Sequence, residues 1–187
     1  MNTSKLLCLL LLCAITAPAF SQDTLRNKKD GEYYFTVVTD NEATGVQNQS
    51  RSGTCWSFSA LSFLESELLR MGKGEHNLSE MYVVRKAYED KAGKFVRMHG
   101  NMNFGAGGAF HDIPYVIDRY GIVPEEVYEG LNYGSETHNH YEMDAVLSGM
   151  VKALKDNPGK KLTPVWPDAV DGVLDAYLGE EPVNFTY

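Results

Sequence analysis

Cysteine is scarce in this 187-residue chain: there are three, at positions 8, 13 and 55. Runs of positive charge are missing as well. No stretch of Lys and Arg reaches four residues, and the formal net charge is −8. Proteins that hold nucleic acid neutralise phosphates with a basic stripe, so no nucleic-acid partner is expected. Internal repeats, low-complexity segments and long flexible linkers are also lacking. The composition, 43% hydrophobic and 22% charged, excludes a disordered chain, and the length suits one ordinary domain or two small lobes.

The one long apolar run lies at the start. Lys5 precedes Leu6 to Ile15, and Ala17-Pro18-Ala19-Phe20-Ser21 supplies small residues. That order predicts a secretory signal peptide over residues 1–21, cleaved after Ser21 or Ala19, and an exported mature protein in a periplasmic or extracellular setting. Ten apolar residues are too few to cross a bilayer core of about 30 Å as a helix. Cys8 and Cys13 leave with this segment, so Cys55 stands alone in an oxidising compartment. A lone thiol there is either reactive or buried and inert.

Hydrophobic spacing predicts a mainly helical chain. Tyr33 to Val38 reads as a strand. A helix is expected from Cys55 to Met71, with Phe58, Leu61, Leu64 or Glu65, and Leu68 on one face and Gly72 beyond its end. Ser79 is a good N-cap for a second helix running to about Lys91. A third covers His111 to Tyr120, with Pro114 in its first turn and Gly121 closing it. Met143, Val146, Leu147, Met150, Val151 and Leu154 form the stripe of a fourth, stopped by Pro158-Gly159. The fifth starts near Pro167 and ends at Gly179.

Cys55 falls where a Gly-rich loop becomes a helix. A thiol attacks as the thiolate, and the unpaired N–H groups and dipole of a first helical turn favour negative charge. Ser52 or Thr54 can cap that end, and Gly53 lets a substrate approach the backbone. Acyl transfer also needs donors for an oxyanion; the Cys55 N–H and the Gln49 side-chain amide are the candidates.

Asn48-Gln49, Gly53 and Cys55-Trp56-Ser57-Phe58-Ser59 resemble the active-site segment of the papain superfamily of cysteine peptidases. Leu78-Ser79-Glu80 is similar to the start of the following helix in that family. Gly107-Gly108 and Tyr120-Gly121-Ile122-Val123-Pro124-Glu125 with Tyr128 are similar to one wall of its cleft. The Gly-Ile-Val-Pro form, the long helical stretch after it and Tyr177-Leu178-Gly179…Pro182-Val183-Asn184-Phe185 resemble the bleomycin hydrolase / aminopeptidase C branch. The resemblance covers about residues 33–187. It implies an α+β papain-like fold over residues 22–187, here mostly the helical nucleophile-bearing lobe. It further implies Cys55 as nucleophile, Gln49 in the oxyanion hole, and Gly108, Gly107, Gly53 and Trp56 at the substrate. Peptides are the implied substrates, a homo-oligomer the implied state of the full-length form, and no cofactor is implied.

The family's mechanism also needs a His base and an orienting Asn, about 130–150 residues after the Cys in a β-rich second lobe. Only 132 residues follow Cys55. None of His76, His99, His111, His138 and His140 stands in the family's context for the base, His111 being the best placed. The expectation is an amino-terminal portion without the base lobe, with an inactive remnant or binding lobe as the alternative. Classical secreted papain-type enzymes carry disulfides and an inhibitory propeptide, and this chain has neither; both absences suit the named branch. A transglutaminase-like enzyme would explain Gly-x-Cys-Trp but not Gln49 or the later blocks. His138-x-His140-x-Glu142 is read as a solvated polar linker with no metal, since no fourth ligand is evident. Gly105-x-Gly107-Gly108 lacks the Lys and preceding strand of a phosphate loop.

Overall fold

A computed structural model describes residues 24–159 and 161–186. They divide into two units, one ending at Asn41 and one running from Glu42. The expected leader, residues 1–21, lies outside the described residues.

In the first unit β1 (Thr24–Arg26) pairs antiparallel with β2 (Tyr34–Thr36), Leu25 opposite Phe35. The expected strand of six residues is thus three long. Among the described residues the ladder has three pairs, from Thr24 opposite Thr36 to Arg26 opposite Tyr34. The Arg26 guanidinium lies 4.9 Å from the centre of the Tyr34 ring.

The second unit is helical: α1 (Cys55–Arg70), α2 (Glu80–Arg97), α3 (Asp112–Tyr120), a 3-10 turn (Glu125–Val127), α4 (Tyr141–Lys155) and α5 (Trp166–Leu178). α2 is the hub and packs against all four other helices. Met81, Val83, Val84, Ala87, Tyr88, Ala92 and Phe95 are buried along it. It begins as expected, with Ser79 Oγ accepting from the Tyr82 N–H at 3.0 Å. It runs past Lys91 to Arg97 because Ala92 and Phe95 extend the buried stripe across Gly93. Pro114 and Pro167 sit in the first turns of α3 and α5, where a missing N–H costs nothing.

Two polar clusters lock the hub. The first fastens α2 to α5 and the segment beyond it. Arg85 pairs with Glu89 at 3.0 Å and Asp175 at 2.7 Å, and donates to the Gly179 carbonyl at 2.8 Å. Lys86 pairs with Glu181 at 2.6 Å. The second decides the Leu64-or-Glu65 ambiguity in favour of Glu65 as the inward residue. Its carboxylate accepts from the Leu78 N–H and the Thr44 hydroxyl, both at 2.8 Å. Glu80 and Glu125 lie in its field, and burial is the main cause raising their pKa values to about 7 and about 8.

Candidate active site

Cys55 is the first residue of α1, exposed and unpaired. The preceding Thr54 carbonyl accepts from the Ser57 N–H at 2.9 Å, but no side chain caps the helix. The expected cap from Ser52 or Thr54 is therefore corrected: their two hydroxyls, both buried, hydrogen-bond each other instead. No side-chain cap stands between the first-turn N–H groups and an incoming group, and the helix dipole favours an anion there.

The loop leading to Cys55 is shaped by its own residues and latched at one point. Ser50 and Gly53 adopt left-handed φ values of 49° and 68°. Asn48 Oδ1 accepts from the Ser50 N–H at 2.9 Å, an Asx turn that supports the unfavourable Ser50 conformation. The latch is a backbone bridge. Arg51 N–H donates to the His138 carbonyl at 2.9 Å, and His140 N–H donates to the Arg51 carbonyl at 3.1 Å. Gln49 lies between these features, half-buried.

A second loop, residues 105–108, comes against the start of α1 and is held by side chains. Trp56 Nε1 donates to the Ala106 carbonyl at 2.9 Å. Lys91 Nζ donates to the Gly107 carbonyl at 2.6 Å and the Gly105 carbonyl at 3.3 Å, and stands 5.3 Å from the centre of the Trp56 indole. Gly108 is pressed on that indole, where a Cβ would lie 2.5 Å from Cε2. A Cβ on Gly107 would meet nothing within 4 Å. Close packing thus requires glycine at 108 and leaves 107 open. The two loops touch: a Cβ on Gly53 would stand 3.0 Å from Ala106 Cβ.

Ser59 and Phe63 follow Cys55 on one face of α1, at i+4 and i+8. Ser59 Oγ donates to the Cys55 carbonyl at 2.8 Å. Phe63 meets Phe110 edge-on at 6.0 Å, both about half exposed. With Trp56, Ser59 and Ala60 they line an open groove of about 480 Å³. Trp56 therefore serves both as core packing and as one wall of this groove.

The histidines distribute differently from expectation. His138 and His140 are buried, so the reading of a solvated linker is overturned. They are drawn inward by the backbone bridge to Arg51, with rings 5.9 Å apart and His138 edge-on to Phe58. Among the described residues, both nitrogens of His140 and Nδ1 of His138 have no hydrogen-bond partner. Burial and the charge of His138 push the His140 pKa down to about 4. Glu142, the third member of the motif, is exposed and accepts from the Tyr177 hydroxyl at 2.7 Å. Among the described residues no group of three or more His, Cys, Asp or Glu is placed to hold a metal. His111 projects outward beside Asp112, 3.6 Å away.

Lys91 is the site-adjacent residue that sequence reasoning missed. Its signal was a lone cation on an apolar stripe, between Tyr88 and Ala92, at the point where the second helix was expected to end.

The family model described as papain family cysteine protease matches residues 35–161. The chain is also similar to "Cysteine proteinase 1, mitochondrial" of Saccharomyces cerevisiae in strains YJM789 and AWRI1631. In each case 26% of 136 residues are identical, covering 62% of this chain and 28% of the relative. The chain thus spans under a third of the length of these relatives. The similarity supports placement on the bleomycin hydrolase branch.

Proposed function

The chain belongs to the papain family of cysteine proteases, and from that footing we propose that it carries the nucleophile half of a cysteine peptidase of the aminopeptidase C / bleomycin hydrolase type. Cys55 is the nucleophile. Its thiolate attacks the scissile carbonyl, and the Cys55 N–H and the Gln49 amide receive the oxyanion. Collapse expels the amine, whose nitrogen takes up the proton the thiol gave up, to leave a thioester that water hydrolyses to the acid and the free thiol. Gly108 pairs its backbone with the extended substrate, and the open side of Gly107 leaves room for it. Gly53 and Trp56 shape the approach, and peptides are the substrates.

The observation that carries this reading is an exposed thiol on the first residue of α1, free of any side-chain cap and bordered by a Gly loop that Trp56 holds in place. The general base and its orienting Asn are assigned to no residue of this sequence, because His138 and His140 are buried beneath the first loop and His111 faces Asp112. The alternative reading is a lobe that binds peptides and leaves them intact. Export is proposed on the pattern of residues 1–21 alone.

Labelling with a dipeptidyl chloromethyl ketone tests the nucleophile. Cys55 should react faster relative to glutathione with this reagent than with iodoacetamide, and Cys55→Ala should abolish that preference, leaving only ordinary thiol labelling at Cys8 and Cys13. Equal ratios for the two reagents would sink the peptidase reading. Peptide binding without hydrolysis would favour the second.

A further inference from the structure

The Gly105–Gly108 loop has no regular structure, yet three consecutive carbonyls in it are taken by side chains from two helices. Lys91 of α2 binds those of Gly105 and Gly107, and Trp56 of α1 binds that of Ala106. A trans peptide is planar, with its C=O and N–H pointing to opposite sides, and no cis bond occurs among the described residues. Whatever holds the Gly107 carbonyl inward therefore turns the Gly108 N–H outward. Gly108 is exposed, so that N–H faces the space where an extended peptide would lie.

We propose that Lys91 is a positioning residue for substrate binding: by gripping the Gly105 and Gly107 carbonyls it aims the Gly108 N–H at the substrate backbone. This rests on the peptidase reading above and adds to it a residue one helix removed from the nucleophile. The ammonium suits the task because it offers three donors in a compact head and has no acceptor. Two ring faces also lie close to it, Trp56 at 5.3 Å and Tyr88 at 5.8 Å, and favour a cation. Neutral side chains of similar length, such as Met, would fill the space but release both carbonyls. The loop would then be free to rotate the 107–108 peptide. Burial is the main influence and lowers the Lys91 pKa; Asp112 of α3 and Asp144 of α4 oppose that fall, and the like charge of Lys94 adds to it.

The test compares wild type, Lys91→Met and Lys91→Arg in the full chain. Second-order rate constants for Cys55 are measured with a dipeptidyl chloromethyl ketone and with iodoacetamide, each relative to glutathione. The first reagent needs the loop and the second does not. Lys91→Met should lower the peptidyl rate about tenfold, the equivalent of one hydrogen bond to a charged or well-placed group. The iodoacetamide rate should stay unchanged, and Lys91→Arg should recover part of the loss. An unchanged peptidyl rate in Lys91→Met overturns the proposal while the peptidase reading stands. Equal falls with both reagents, together with a lowered melting temperature, show a merely structural role and also overturn it. No peptidyl preference in the wild type removes the peptidase reading itself, and the proposal with it.

Discussion

Two glycine loops border Cys55, and they are held by different means. The loop before it, residues 48–54, carries much of its shape in its own residues: an Asx turn at Asn48, a left-handed Gly53 and the paired hydroxyls of Ser52 and Thr54. The loop at residues 105–108 contains almost no internal information. Its shape is imposed by an indole and an ammonium that arrive from α1 and α2. A locally encoded loop responds chiefly to changes in its own backbone. An imposed loop responds to changes in residues fifty or fifteen positions away.

The largest effect expected is from Gly108→Ala. The new methyl would overlap the Trp56 ring at 2.5–2.9 Å, and a buried indole cannot yield as a flexible side chain can. Overpacking of this kind costs about 3 kcal/mol. Denaturant unfolding measures it, and peptidyl labelling of Cys55 should fall with it. An unperturbed variant would show that the indole is not what shapes this loop.

Acidity should act on the first loop. His140 has a folded pKa of about 4 against an ordinary value of 6.5. The unfolded chain therefore binds the extra proton first, and stability present above pH 6.5 is lost as pH falls from there through about 4. His140→Gln should flatten this limb of a melting-temperature profile. The carboxyls beneath α1 run the other way. Glu80 and Glu125, with folded values of about 7 and about 8, hold protons that the unfolded chain releases near 4.5. Stability is thus greatest below 4.5 and declines as pH rises through 7 to 8. Glu125→Gln should remove part of that decline, and a profile flat on both sides would contradict both assignments.

Gly53→Ala comes next, at about 1–2 kcal/mol for a left-handed residue with a side chain, aggravated by the 3.0 Å approach to Ala106. This should slow peptidyl labelling more than labelling by iodoacetamide. Trp56→Phe keeps much of the packing and loses the bond to the Ala106 carbonyl, about 1 kcal/mol, read as a lower melting temperature. The smallest effect belongs to Gly107→Ala. Its methyl meets open space, so stability should shift by less than about 0.5 kcal/mol. A loss as large as that of Gly108→Ala would erase the distinction between the two glycines.

Much of the helical frame is legible in the amino-acid sequence. Ser79 as a cap, Pro114 and Pro167 in first turns, and Gly121 and Gly179 at helix ends act through local backbone geometry. The start of α1 at Cys55 belongs to the same class. The failures share a different cause. Ser52 and Thr54 have the right chemistry to cap α1, but each other's hydroxyl is the nearer partner in the fold. α2 outruns Lys91 because residues distant in sequence bury Ala92 and Phe95. His138 and His140 look solvated because polar residues near Gly, Asn and Ser usually are; a two-bond bridge to Arg51 draws them inside.

By itself, the sequence determined where the thiol sits, that a helix begins under it, that a Gly-rich loop precedes it, and the family its motifs resemble. Those are matters of adjacent residues and backbone preference. Tertiary structure alone decided that Gly108 and not Gly107 must lack a side chain, that Trp56 and Lys91 hold the second loop, and that the buried histidines lie under the first. Each depends on atoms brought together from separate helices, whose distances no local pattern encodes.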